Sequence, residues 1–138
     1  MSAVLTGYVY RNNEIPSYTK QDLHKYAAEK RWRVETGGII IPIQNNDVKI
    51  NTDERTRNIL TAAFIKASAD SSYTINNWKI DSNNYIILSS QNIINIANLI
   101  EHHVQKCFEI NNEIDSKIEN NIITTIAEIE NYNWNTFL

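Results

Sequence analysis

The run SQNIINIANLIEHHVQKCFEINNEIDSKI, residues 90–118, constrains the architecture of this chain more than any other part of it. Ile93, Ile96, Ile100, His103, Cys107, Ile110 and Ile114 recur at alternating steps of three and four, the period of one helix face. Ile94, Ala97, Val104, Phe108 and Ile118 broaden that stripe, and Ser89 or Ser90 supplies a cap. A single helix over these residues would be about 43 Å long at 1.5 Å per residue. Such a helix overhangs a small domain. Either a partner covers it or the chain bends near Asn120-Asn121. The expectation is that another polypeptide, a second copy of this chain included, finishes covering the stripe from Ile93 to Ile118.

Upstream, the pattern gives more, shorter elements. Ala3 to Tyr10 reads as an extended strand, followed by a turn at Arg11 to Glu14 and by Pro16, which biases Ile15 away from helix. Thr19 offers an N-cap with Asp22 in the first turn. Leu23, Tyr26, Ala27, Lys30 and Val34 follow at helical spacing, so residues 19–34 are predicted helix, stopped by Gly37-Gly38. Ile39 to Ile43 and Val48 to Ile50 flank the turn-prone Gln44 to Asp47, a hairpin with Pro42 on its edge. Thr52-Asp53-Glu54 opens a second helix with an apolar face of Ile59, Leu60, Ala63, Phe64 and Ala67. A second hairpin is predicted from Tyr73 to Leu88 around Asp81 to Asn84, and a short helix from Thr124 to Glu130.

The predicted class is therefore α+β: three to four helices including one long C-terminal helix, two short β-hairpins and an N-terminal strand-like arm. Residues 1–17 form the arm and 18–138 a single α+β domain. The 138 residues suit one domain of ordinary size, and 42% hydrophobic content supplies a core. Pro and Gly number only two and three, which suits long helices.

Charge and cysteine usage narrow the function classes. The net charge is −3 and the 13 Lys and Arg are scattered, with no basic stripe of the kind nucleic-acid binders carry. Cys107 is the only cysteine, which excludes an internal disulfide and fits a reducing compartment. Met1 to Tyr10 lacks the features of a secretory signal, and Ile39 to Ile43, the longest apolar run, falls far below the ~20 residues that span a bilayer. The expectation is a protein with neither nucleic-acid nor membrane partners.

Chemistry is sparse. No nucleophile–base set, phosphate-cradling loop or dinucleotide fingerprint is present. His103 and Cys107 lie one turn apart, with Glu101 and His102 nearby, but zinc asks for three or four ligands. They read as core positions. Asp53-Glu54, Glu128 and Glu130 sit where helix ends or polar faces reward acids. Catalytic, cofactor and metal residues are thus expected to be absent, and a glycan hydrolase ranks last. Among the aromatics, Tyr132, Trp134 and Phe137 near the C-terminus read as interface anchors. Tyr8, Val9 and Tyr10 read as a strand that can add to a partner's sheet.

Several stretches, taken together, resemble a known family. They are Arg31 to Ile39, Ile50 to Thr56, Asn77-Trp78-Lys79, Tyr85 to Leu88, His103 to Phe108 and Asn133-Trp134. In this order and spacing, from about Gln21 to Trp134, the chain resembles a domain of unknown function found in tailed-bacteriophage tail-fibre and tail-fibre-associated proteins. The family carries no assigned activity, so it implies no catalytic residue. It implies a place in the virion tail, or in the host cytoplasm during assembly, with a tail-fibre or baseplate protein as partner. With so short an arm before the domain, the chain is expected to be an adaptor, tip or assembly chaperone rather than a whole fibre. The competing expectation is a phage-encoded small inhibitor that binds a host protein.

Overall fold

The computed structural model describes residues 17–137. In order they form α1 (Lys20–Glu35), β1 (Ile39–Ile43), β2 (Asn46–Ile50), α2 (Glu54–Ala69), β3 (Ile75–Lys79), β4 (Tyr85–Leu88), α3 (Ser90–Glu119) and α4 (Ile126–Glu130). The α+β class, the two antiparallel hairpins and the long helix are as expected. The chain divides into two compact units. One is built from residues up to Val34 together with those from Lys106 on, and the other is Glu35–Gln105. α3 supplies residues to both, where the sequence suggested one undivided domain.

The helix ends follow local chemistry. Thr19 and Asp22 cap each other's backbone at the start of α1: the Asp22 amide donates to Thr19 Oγ1 at 3.0 Å, and the Thr19 amide to Asp22 Oδ2 at 3.1 Å. Asp53 caps α2 by accepting from the Thr56 amide at 2.9 Å; the Thr56 hydroxyl first, and then that amide, hold its carboxyl below the usual carboxylate range. Ser89 and Asn92 exchange the same pair of bonds before α3, each at 3.1 Å. Thr125 and Glu128 form a full capping box on α4. After α3, Asn121 turns the chain with φ 59°, where the sequence placed the bend.

In the Glu35–Gln105 unit, β1 and β2 pair from Ile39↔Ile50 to Ile43↔Asn46. The turn is tighter than expected, because Asn46 and Asp47 are already strand. Gln44 and Asn45 alone make the loop, with φ 53° and 66°. Two positive φ values match the right-handed strand twist, and asparagine tolerates the one at Asn45. Pro42 faces Asp47 one pair beyond the loop-closing pair, so its missing N–H falls on the outer edge. The alternation places Ile39, Ile41, Ile43, Val48 and Ile50 inward, against Leu60, Ala63 and Ala67 of α2, Leu88 of β4 and Ile93, Ile96 and Ile100 of α3. The apolar face of α2 is rotated from the predicted one. Leu60, Ala63 and Ala67 are buried, whereas Ile59 is exposed. In the second hairpin a bulge lies between Ile75↔Leu88 and Trp78↔Ile86.

Of the predicted helix-stopping pair, Gly38 is the one with a special conformation, φ +92°. α1 ends at Glu35 before it is reached, so Gly38 steers the chain into β1 rather than capping the helix. A Cβ there would lie 2.8 Å from Lys49 Cε and 3.1 Å from the Ile50 carbonyl oxygen. The lysine can move and the carbonyl cannot. Gly38→Ala is expected to lower stability by about 1–2 kcal/mol, read as a fall in the urea midpoint without a change in slope.

The other unit collects Leu23, Tyr26 and Ala27 of α1, Ile110, Ile114 and Ile118 of α3, Ile123, and Ile126 and Ile129 of α4, with Tyr18, Tyr132 and Trp134 packed against them. Together the two cores overturn the expectation drawn from the stripe. Ile93, Ile96, Ile100, His103, Cys107, Ile110, Ile114 and Ile118 are all buried by this chain's own residues. Besides Leu88, Ile123 and α4, which lie near the stripe in the chain, the covering side chains come from α1, β1, β2 and α2, distant in sequence. A second polypeptide is not needed to shield that face.

Candidate functional site

Three of the stretches that carry the family resemblance, those holding Glu35 and Gly38, Thr52, and His103, meet at a buried polar junction in the Glu35–Gln105 unit. α1 ends at Glu35, whose carbonyl accepts from the Thr52 hydroxyl at 2.6 Å and is also 3.2 Å from His103 Nε2. A carbonyl can only accept, so His103 presents a protonated Nε2 there. Thr52 Oγ1 in turn accepts from the Gly38 amide at 2.9 Å. The Glu35 carboxylate accepts from the Arg57 guanidinium at 2.9 Å, with its side chain 10% exposed. Glu35, Thr52 and His103 are all buried. Burial of a charge demands such pairing, and here each polar group has a stated partner. Within this unit the junction ties Glu35 to the strand entry at Gly38, to Thr52 and Arg57, and to His103. His103 and Cys107, expected in the core, are 3% and 0% exposed.

The second unit holds two ion clusters. Glu130, at the end of α4, receives the Tyr26 hydroxyl, Lys30 Nζ at 3.1 Å and Arg33 at 2.8 Å. These donors, foremost the Tyr26 hydroxyl, hold its carboxyl at about 2. Burial, with Glu130 beside it, pushes the Tyr26 phenol up. Glu130 was expected merely on a polar face. The available signal was Tyr26, Lys30 and Arg33 at steps of four and three on α1, a row whose polar ends share one direction.

The folded Glu130 carboxyl binds its proton less tightly than the unfolded one, so its stabilisation is complete above about pH 4.5 and is lost as the pH falls towards 2. Glu130→Gln is expected to flatten the acid limb of the stability profile between pH 5 and 2, measured by urea unfolding at fixed salt.

The other cluster centres on His24, between Asp115 and Glu119 of α3. Close by, Arg31 lies 4.3 Å over the Phe108 ring and donates to Asn111 Oδ1 at 2.8 Å.

Of the expected interface aromatics, Tyr8, Val9 and Tyr10 lie outside the described residues. Tyr132 is half-buried with the Lys117 ammonium 5.1 Å from its ring, and it borders a groove of about 370 Å³ with Lys106, Glu113 and Lys117. The Trp134 indole donates to the Ile129 carbonyl at 3.0 Å, which closes the end of α4. Phe137 alone of these three is exposed, at 48%. The structure thus builds Tyr132 and Trp134 into their own unit. It exposes side chains the sequence did not single out for binding: Trp32 at 61%, Tyr85 and Ile87 at 55% each, and Phe108 at 50%.

Among the described residues no three His, Cys, Asp or Glu side chains are grouped so as to hold a metal ion, and no helix is long and apolar enough to cross a membrane. The profile of a domain of unknown function, DUF4376, matches residues 18–133, and the chain belongs to that family. Comparison with curated proteins and with solved structures found no match.

Proposed function

We propose, taking membership of that family as the premise, that this protein is a non-enzymatic component of a bacteriophage tail. It acts by protein–protein binding at the fibre or baseplate, as adaptor, tip or assembly chaperone. The observation that carries the reading is the uneven use of the stretches that resemble tail-fibre-associated proteins. Glu35, Gly38, Thr52 and His103 are consumed by the internal junction. Trp32, Tyr85, Ile87 and Phe108, from the same stretches, keep half or more of their surface in water. Scattered apolar residues on a surface need no explanation. A tryptophan and a tyrosine among them are the residue types that anchor interfaces.

The test is to purify virions from a phage carrying the gene and from a deletion, with a Trp32→Ala, Phe108→Ala version as complement. The protein is expected either in particles or as a requirement for correctly folded fibres, and the double variant is expected to lower whichever of these holds. Fibres that misfold without the gene while particles lack the protein would identify an assembly chaperone. Absence from particles together with normal fibres in the deletion would overturn the tail role. Capture of a bacterial protein from host lysate would then favour an inhibitor.

A further inference from the structure

We propose that His24 is a pH-sensitive latch that fastens the first half of α1 to the last two turns of α3 when its ring is cationic. His24 Nδ1 is 2.6 Å from Asp115 Oδ1, and Nε2 is 2.6 Å from Glu119 Oε2. A neutral imidazole owns one N–H and would turn a lone pair on one of these carboxylates; only the imidazolium donates to both. Asp115 and Glu119 stand four residues apart on α3, where like charges repel. The cation between them removes that repulsion.

The groups around the pair are themselves engaged. Lys20, one turn before His24, donates through Nζ to the Glu119 carbonyl at 3.0 Å. On α3, Asn111 donates to Asp115 Oδ2 at 3.2 Å and is itself held by Arg31. On α4, Glu130 is engaged by Tyr26, Lys30 and Arg33. Glu119 and Asp115 hold the His24 proton above the ordinary value of 6.5, and His24 holds the Glu119 carboxyl below its own. The imidazolium gains its partners only in the folded unit. The latch is therefore fully closed below pH 6.5 and opens as the pH rises through the raised folded value. What it fastens is the segment bearing Leu23, Tyr26 and Ala27, which share a core with Ile110, Ile114 and Ile118. Opening loosens the cover on that half of α3.

The experiment is an NMR titration of the ring nitrogens of His24 in the full chain, from pH 5.5 to 9. It is paired with amide hydrogen exchange across α1, corrected for the intrinsic rate. Both nitrogens are expected to be protonated at the acid end, with one midpoint above 6.5. Protection of α1 is expected to fall about tenfold for each unit by which that midpoint exceeds 6.5. His24→Gln is expected to abolish the pH dependence of α1 protection. Asp115→Asn with Glu119→Gln keeps hydrogen-bonding groups on α3 and is expected to return the midpoint to about 6.5. This readout survives should the His24 variant fold poorly. A wild-type midpoint at or below 6.5 overturns the latch. So does α1 protection whose pH dependence persists in His24→Gln, or a midpoint that stays raised in the double variant.

Discussion

Replacing Ile114 by alanine is expected to destabilise its unit by about 3–4 kcal/mol, within the range for emptying a fully buried aliphatic site. Ile114 is 0% exposed and shares its core with Leu23, Tyr26 and Ala27 of α1 and with Ile126 and Ile129 of α4. Three carbons leave and a helix-on-helix contact cannot close over the void. A domain of this size has only about 5–15 kcal/mol in total, so the change removes a large share of it. Urea unfolding followed through Trp134, which packs on the same core, measures the loss. Ile114→Val gives the graded control at about 1 kcal/mol. The value also bears on what covers α3. A loss below about 1 kcal/mol would mean that the second half of the stripe is not firmly packed within the chain, contrary to its burial.

Thr52→Val is expected to cost about 2–3 kcal/mol although it changes almost no volume, because two buried hydrogen bonds go at once. Thr52 is 0% exposed; its hydroxyl donates to the Glu35 carbonyl and accepts from the Gly38 amide. Valine fills the space and leaves the amide without that acceptor. Thr52→Ser keeps both bonds and loses one methyl, so it should cost about 1 kcal/mol. Hydrogen exchange at the Gly38 amide separates the two: it should quicken in the valine variant and stay slow in the serine variant. Equal behaviour of the two variants would show that the junction is held by packing alone.

Local signals carried most of the fold. Thr19, Asp53, Ser89 and Thr125 stand at helix starts because each is short enough to accept from the amide three residues ahead, a relation within a few positions of sequence. The isoleucines of β1 and α3 announce their buried faces through periods of two and of three to four. Ile59 shows the limit of that rule, since a window of α2 contains more apolar residues than its buried face uses. The stripe on α3 shows a deeper limit. Periodicity reveals which face shuns water and is silent about what lies over it. Leu23 lies far from Ile114 in the chain and Ile129 follows it beyond the turn after α3, and their convergence is a tertiary fact.

The same holds for charge. Glu130 and its donors on α1 are about a hundred residues apart, and so are His24 and Glu119. The charged residues were individually visible and their pairing was not. Trp134 was noticed as an aromatic with amphipathic character. That its indole would satisfy the Ile129 carbonyl, instead of facing a partner, depends on how the tail folds back after α4.

The unit Glu35–Gln105 is a continuous stretch of sequence between the two segments of the other, whose core is completed by α4 and the residues after it. During synthesis the inner stretch leaves the ribosome whole and can close its hairpins and helices with what has already emerged. The outer one cannot. Leu23, Tyr26 and Ala27 must wait, apolar and uncovered, until Ile126 and Ile129 have been added about a hundred residues later. At translation speeds of roughly 5–20 residues per second, that is an interval of several seconds or more. In that interval the apolar face of the nascent α1 stands open to chaperones and to mispairing with neighbouring chains.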